Sequence, residues 1–400
     1  MTGNLSRRAR NVNPSATLAI ASIAKRMKAE GIDVVDLGLG EPDFETPAHV
    51  KEAAIRAIRD GFTRYTAASG IDELKEAIVT KLKRDNGLSY RLEEVIVSCG
   101  SKHSLFNIAE ALFEAGDEVI IPAPFWVTYT EQIRLVEGRP VIVQTREEDG
   151  FRLSRQVVEP AITPRTKAVL LNSPCNPTGA VIPTDQLGAI AALAVERDLL
   201  LISDEAYECL TYDGQPHVSI ASFGEEVKRR TILVNTVSKT YAMTGWRIGY
   251  ATGPADIIKA MANIQSQVTS NPTSIAQKAA VAALLGPQDD VRRMRAEFDR
   301  RRRYLVDRLN AIPGLRCTKP EGAFYLFPNV SGFYGKVAEG RQIGNSTQMA
   351  TYLLETSHVA VVPGVEFGSD AHLRLSYAAP IEKLVEAVDR IERALGSLRG

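Results

Sequence analysis

The sequence predicts an α/β protein, a mostly parallel sheet covered by helices, joined to a smaller α+β unit. Three observations predict it. Short runs rich in Val, Ile and Leu alternate with helical segments, as expected for strands buried on both faces of a parallel sheet. The chain has 400 residues, more than one hydrophobic core usually serves, so two domains are expected. After about residue 288 the texture changes to a long charged helix followed by short strands.

The elements follow in order. Residues 1–47 read as an N-terminal arm and part of the small domain, 48–288 as the large domain and 289–400 as the small C-terminal domain. Arg7, Arg8, Arg10, Lys25, Arg26 and Lys28 precede the first acid, Glu30. That pattern reads as an arm followed by a basic-faced helix; a transit peptide would look similar. "HVKEAAIRAIRDG" has helical spacing, with Val50, Ala54, Ala57 and Ile58 on one side and Gly61 as a stop. "EVIVSCGSKHSLFNIAEALFEAG" reads as strand, glycine turn and helix. "DEVIIPAPFW", "KAVLLNSPCNPTG", "DLLLISDEAY", "RTILVNTVSK" and "RIGYATG" each begin as a strand. "PQDDVRRMRAEFDRRRRYLVDRLNAI" is one long helix whose arginine run is expected to be a solvated face. "GAFYLFPNV" and "HLRLSYA" read as strands of the small domain, closed by a helix from about Ile381 to Leu395.

Composition narrows the function. Apolar residues make up 44% and charged residues 24%, and the formal net charge is zero. A nucleic-acid partner usually needs a basic domain, so none is expected. No apolar run reaches the ~18 residues of a membrane-spanning helix. Four cysteines are scattered singly, without a CxxC. A zinc site and a disulfide framework are therefore not expected, and a reduced, cytoplasmic setting fits. The five histidines lack ligand spacing, so no metal is expected. "GLGEPDF" is an incomplete GxGxxG, and Walker A, HExxH and GxSxG are absent.

The unusual polar residues come immediately after the apolar runs: Gly100, Ser101 and Lys102, then Trp126, Asn176, Asp204 and Tyr207, then Ser238 and Lys239. In open α/β sheets ligands lie beyond the carboxyl ends of the strands, so these segments should converge on one crevice. Lys239 sits among Thr240, Ala242, Met243, Gly245 and Trp246. A lysine with few polar neighbours has a lowered pKa and can be a nucleophile. Asp204 ends an apolar strand. It reads either as the N-cap of a helix starting near Glu205 or as an anion facing a cationic ring nitrogen. A protonated pyridine ring opposite an aspartate is what pyridoxal phosphate requires. Lys239 would hold that cofactor as a Schiff base and, once released, shuttle a proton.

The phosphate needs donors. Ser101 and Lys102 open a helix after Gly100, and a helix N-terminus binds anions. Ser238 and Arg247 could add a hydroxyl and a bidentate fork. Trp126 could stack on the ring or simply pack in the core. Asn176 lies in a proline turn but could also donate to the cofactor's phenolic oxygen, as could Tyr207. Arg374, inside a strand-like run, is read as the partner of a substrate α-carboxylate.

These residues resemble a known family. "SKTYAMTGWRIGY", "NSPCNPTGA", "SDEAYE", "GLGEPDFETP", "RYTAASGIDELKEAI" and "HLRLSYA" are similar to the fold-type I, class I pyridoxal-phosphate aminotransferases, from about Pro14 to Leu395. Within that class the bacterial aspartate aminotransferases are most alike. The resemblance implies a mostly parallel seven-stranded sheet covered by helices, plus a smaller α+β domain. It implies Lys239 as the cofactor-bearing amine, Asp204 on the ring nitrogen, Asn176 and Tyr207 on the phenolic oxygen, and Trp126 on the ring. Ser101, Ser238 and Arg247 match the phosphate binders, and Tyr65 matches a tyrosine reaching the neighbouring subunit's site, which implies a homodimer. Gly40 matches a backbone contact to substrate, Arg374 the α-carboxylate clamp, and Lys102 and Thr17 groups that help hold a distal carboxylate. Asn13 stands where members that also take prephenate often carry a basic residue, which weighs against prephenate. The implied reaction moves the amino group of aspartate to 2-oxoglutarate. An aromatic or prephenate aminotransferase, or a lyase on the same scaffold, are the alternatives.

Overall fold

The computed structural model describes residues 5–10, 12–13, 16–338 and 340–399. Seven strands form the central sheet: β1 Val95–Ser98, β2 Glu118–Ala123, β3 Arg139–Gln144, β4 Thr166–Asn172, β5 Leu200–Asp204, β6 Thr231–Thr236 and β7 Gly249–Thr252. Their spatial order is β1-β7-β6-β5-β4-β2-β3. All neighbours are parallel except β7, which runs antiparallel to both β1 and β6.

Alternation along each strand explains the continuous apolar runs. Val119, Ile121, Ala168, Leu170 and Ile202 pack on one face with Leu105, Ile108, Ile258 and Met261. Ile120, Val169, Leu171 and Leu201 pack on the other with Leu187, Ile190 and Leu193. The first face is covered by helices Ser101–Leu112 and Ala255–Val268, the second by helix Thr184–Glu196. Both faces being dry, neither needs a polar residue every second position.

A second, three-stranded antiparallel sheet joins β8 Tyr325–Leu326, β9 Val362–Pro363 and β10 Leu373–Ser376, with β10 in the middle. Val35–Asp36 pairs in parallel with Val359–Ala360. Leu37 then hydrogen-bonds both Ala360 and Ser376, which leads the following Gly38–Gly40 stretch along this sheet toward the strand ends of the large one.

Two expectations need correction. Ile58 is 52% exposed; helix Ala48–Arg59 instead buries Val50, Ala53, Ala54 and Ala57. The arginine run of helix Asp289–Asn310 is not one solvated face. Arg302 is fully buried and Arg301 nearly so, because they fall on the stripe of Phe298, Leu305 and Leu309. Their charge is met locally. Arg301 donates to Asp43 at 2.7 Å and Glu297 at 2.9 Å. Arg302 pairs with Asp213 at 2.9 Å and with Asp299, and lies 4.6 Å over the Tyr212 ring. Among the described residues no helix is long and apolar enough to cross a membrane.

Candidate active site

The strand ends build the site. β5 stops at Asp204, β6 at Thr236, β4 at Asn172 and β1 at Ser98. β7 runs the other way, so its first residue, Gly249, pairs with both Ser98 and Thr236. That register brings Arg247, two residues earlier, beside the Cys99–Gly100–Ser101 turn, where its Nη2 donates to the Cys99 carbonyl at 3.4 Å. The result is a cavity of about 290 Å³ lined by Lys239, Asp204, Trp126, Ser101, Arg247 and Arg374, among others.

Two glycines are required by close approach. Gly100 has φ +87°, and a Cβ there would overlap the Arg247 guanidinium. A Cβ at Gly249 would overlap the Ser101 backbone nitrogen. Together they leave a concave patch at the first turn of helix Ser101–Leu112, where free N–H groups point outward. On the facing wall the Thr236 hydroxyl accepts from the Ser238 N–H at 3.1 Å and donates to the Ser238 Oγ at 2.8 Å, which fixes that hydroxyl at the N-terminus of the short Val237–Thr240 turn.

Lys239 leaves the same turn and its Nζ donates to the Gly40 carbonyl at 2.5 Å. Burial lowers its pKa to about 8, with Glu41 pulling the other way. Asp204 is buried, and burial raises its carboxyl to about 6. The Tyr129 hydroxyl donates to Oδ2 at 2.8 Å and the Ala206 N–H to Oδ1 at 3.1 Å, and both hold that pKa down. No helix follows Asp204; residues 206–209 form a turn, and the carboxylate caps that turn while its second oxygen faces Tyr129. The Tyr207 hydroxyl hydrogen-bonds the Tyr325 hydroxyl at 2.8 Å. Burial pushes the Tyr207 pKa well above the usual tyrosine value, so the hydroxyl stays protonated.

Arg374 comes from β10. Its Nη1 donates to Asn176 Oδ1 at 3.0 Å and its Nη2 to the Gly38 carbonyl at 2.6 Å, while Nε is buried without a partner. The Tyr325 and Phe367 rings flank the guanidinium at 4.6 and 4.9 Å. Lys102 Nζ lies 4.8 Å over the Trp126 ring. Among the described residues, none of Lys102, Lys239, Arg247 and Arg374 has a carboxylate within ion-pair distance, although ion pairs are abundant elsewhere on the chain. Arg374, the buried one of the four, costs free energy without a counter-ion unless a ligand supplies the anion, while Lys102 and Arg247 are exposed at the cavity mouth.

Of the residues singled out in the sequence, Gly40, Ser101, Lys102, Trp126, Asn176, Asp204, Tyr207, Ser238, Lys239, Arg247 and Arg374 line the cavity, with Gly100 behind the cradle. Tyr65 does not; it is 90% exposed on the loop before helix Asp72–Asn86. Thr17 belongs to helix Ala16–Ala29, and its side chain lies outside the described residues. Sequence reasoning missed Tyr129, Tyr325, Asn172 and Thr236, all at the cavity wall. Asn172 accepts from the Asn176 N–H at 2.8 Å. A Cβ at Gly40 would overlap the Tyr325 hydroxyl, so the two residues are matched. Glu205, Glu208 and His217 also bring ligand-type atoms together. Protein groups already satisfy them: Lys81 pairs with Glu208, and Ser203, Ser219 and His217 with Glu205.

The chain matches the model of the family "Aminotransferase class I and II" over residues 32–391. It is 49% identical over 389 residues to an aspartate aminotransferase of Geobacillus stearothermophilus, covering 97% of this chain and 98% of that one. It is 47% identical to an aspartate/prephenate aminotransferase of Nitrosomonas europaea, covering 98% and 99%. Among solved structures, the aspartate aminotransferase of Rhizobium meliloti superposes with a TM-score of 0.95 at 48% identity, covering 99% of each chain. By that family match and these near full-length likenesses, this chain belongs to the class I and II aminotransferases, a family that works with pyridoxal 5′-phosphate.

Proposed function

We propose that the protein transfers the amino group of L-aspartate to 2-oxoglutarate, giving oxaloacetate and L-glutamate, with pyridoxal 5′-phosphate held in the cavity by Lys239. The observation that carries this reading is the convergence of four cations without carboxylate partners on one cavity. A phosphate and a substrate with two carboxylates supply the missing negative charge.

The residues fit the cofactor. The cradle that side chains at Gly100 and Gly249 would fill suits a phosphate, held by Ser101, Ser238 and Arg247 with Lys102 nearby. Trp126 would stack on the ring, Asp204 would pair with its nitrogen, and Asn176 and Tyr207 would face its phenolic oxygen. When bound, pyridoxal phosphate supplies a carbonyl carbon that takes up and gives back an amino group, and a cationic ring that draws electrons from the substrate Cα.

The chain's own residues do the rest. With a pKa of about 8, the Lys239 amine is roughly one-tenth free base at neutral pH. It can therefore take a proton from the substrate Cα and return it from Nζ, as a general base tuned near the working pH. Asp204, with a pKa of about 6, is ionised at neutral pH and favours a cation opposite it. Arg374 is pre-aimed by Asn176 and Gly38 and receives the α-carboxylate. Because Asn176 gives its Oδ1 to Arg374, its amide N–H groups are left to donate. Lys102, with Thr17, receives the distal carboxylate, and the Gly40 backbone lies against the substrate.

The same reading takes the chain as a cytoplasmic homodimer. Tyr65 makes no hydrogen bond within the chain among the described residues, and a second pocket of about 460 Å³ shares Glu41, Thr244 and Arg247 with the central cavity. A partner's Tyr65 entering there would reach the phosphate. We also keep the division into residues 1–47, 48–288 and 289–400, supported by the confinement of the large sheet to residues 95–252.

The relatives named for prephenate favour one second reading. Asn13, which donates to Glu131 at 3.0 Å from its backbone and 3.3 Å from its side chain, supplies no cation for prephenate's extra carboxylate. The test is a half-reaction followed by a substrate panel. L-Aspartate alone should remove the visible absorbance of the holo protein and release stoichiometric oxaloacetate, and 2-oxoglutarate should restore it. Sustained turnover with release of ammonia and without 2-oxoglutarate would instead establish a lyase, and a strong preference for prephenate would replace the aspartate assignment.

A further inference from the structure

Two fully buried glutamines hold the loop that carries Tyr65. Gln277, in helix Ser274–Leu285, accepts from the Ile71 N–H at 2.8 Å through Oε1. Its Nε2 donates to the Thr66 hydroxyl at 3.1 Å and the Pro272 carbonyl at 2.9 Å. Gln265, in helix Ala255–Val268, donates from Nε2 to the Ala68 carbonyl at 2.6 Å and the Val97 carbonyl at 2.8 Å. Its Oε1 accepts from Asn107 at 2.9 Å. Both side chains are 0% exposed, and every amide hydrogen is used. Ser274 adds a bond to the Phe62 carbonyl at 3.0 Å, and Lys75 one to the Ser69 hydroxyl at 2.9 Å. Gly70, at φ +98°, brings the loop so close to β1 that a Cβ would stand 2.7 Å from Val97.

An exposed loop is ordinarily mobile. This one is pinned on both sides of its tip, yet the tip itself, Tyr65, is 90% exposed and has no hydrogen-bond partner among the described residues. Gln277 is buried on a helix whose other buried residues include Ala276, Ala279, Ala280 and Ala283, so burial alone would be served by an aliphatic side chain that makes no hydrogen bonds. Buried amides of this kind favour a single geometry over mere burial. Gln265 also bridges the loop to Val97 in β1, the strand that runs into this subunit's own Gly100–Ser101 cradle.

We propose that Gln277 and Gln265 are positioning residues that pre-organise Tyr65 for the neighbouring subunit's phosphate site, so that the cofactor affinity of one subunit depends on a clamp inside the other. The proposal rests on the shared-site reading given above. A tip held in place loses little freedom when it docks, and that saving appears as cofactor affinity.

The test uses full-length dimers of Tyr65→Phe, Gln277→Met and Thr66→Val, and of each loop variant combined with Tyr65→Phe. Each is titrated with pyridoxal phosphate by absorbance, and the melting temperature of the cofactor-free protein is measured alongside. Tyr65→Phe should weaken binding by roughly tenfold or more, the loss of a hydrogen bond to a charged group. Gln277→Met and Thr66→Val should each weaken it several-fold, and neither should weaken it further once Tyr65 is Phe. Thr66→Val removes only a loop hydroxyl, so it serves if Gln277→Met fails to fold. Equal weakening on both backgrounds, or a lowered melting temperature with unchanged affinity, would overturn the clamp. If Tyr65→Phe weakens binding and the loop variants do not, the clamp alone fails. If Tyr65→Phe has no effect, the shared-site reading fails and takes the clamp with it.

Discussion

Replacing Arg374 separates binding of the α-carboxylate from everything else the cavity does. Its guanidinium is buried, bonded to Asn176 and Gly38, and flanked by two rings, yet it has no anionic partner among the described residues. In Arg374→Ala the substrate α-carboxylate loses the guanidinium that this position supplies. Breaking a buried charge pair costs about 3–5 kcal/mol, which is about two to four powers of ten in kcat/KM at about 1.36 kcal/mol per decade. Arg374→Lys keeps the charge and loses the fork, so a loss of about 1.5–3 kcal/mol, one to two powers of ten, is expected. The assay is steady-state kinetics with aspartate and with alanine, which share the α-carboxylate and differ in the distal one. Both Arg374 variants should depress the two substrates alike, whereas Lys102→Met should depress aspartate and spare alanine. An Arg374→Ala enzyme with unchanged kcat/KM would refute the reasoning. So would one that lost aspartate activity and kept alanine activity.

Other outcomes follow from the same geometry. Lys239→Ala should abolish turnover while the circular dichroism spectrum and some cofactor affinity persist; normal turnover would remove the proton-transfer role. Asp204→Asn should stabilise the cofactor-free protein at neutral pH. A carboxyl raised from its ordinary 3.8 to about 6 holds its proton more tightly when folded. The fold therefore loses stability as pH rises through that interval and stays penalised above it, by up to about 3 kcal/mol. Melting curves should show a gain for Asp204→Asn above pH 6 that disappears near pH 4, with activity lost throughout; no gain at neutral pH would contradict this sign. Tyr129→Phe removes the donor at 2.8 Å that holds the Asp204 carboxyl down. The acidic limb of the kcat/KM profile should move up by about one to two pH units, and an unmoved limb would dissociate Tyr129 from the chemistry.

The strands buried on both faces were legible because dry surroundings leave uninterrupted Val, Ile and Leu, as in "AVLLN" and "LLLIS". Strand β3, "RPVIVQ", carries a proline and lies at the sheet edge with much of its surface exposed, so it lacks that signature. The reversed direction of β7 is set by pairing partners far away in sequence, and no local pattern encodes it. The site was legible because chemistry-bearing residues follow the strands directly, and the sheet gathers those ends at one edge. Tyr129 and Tyr325 were not, since an aromatic in "FWVTYT" or "GAFYLF" looks like core packing until its hydroxyl is seen against Asp204 or Tyr207. Arg301 and Arg302 were misread for a related reason. A run of arginines satisfies helical spacing on every face, and only the positions of Asp43, Asp213 and the Tyr212 ring reveal which two turn inward.

The most direct test of the central claim is to reduce the holo protein with borohydride, digest it and locate the pyridoxyl group by mass spectrometry. The account predicts the added mass on the peptide carrying Lys239 and on no other lysine, Lys102 included. A label on a different residue, or no label on a protein that still transaminates, would contradict it.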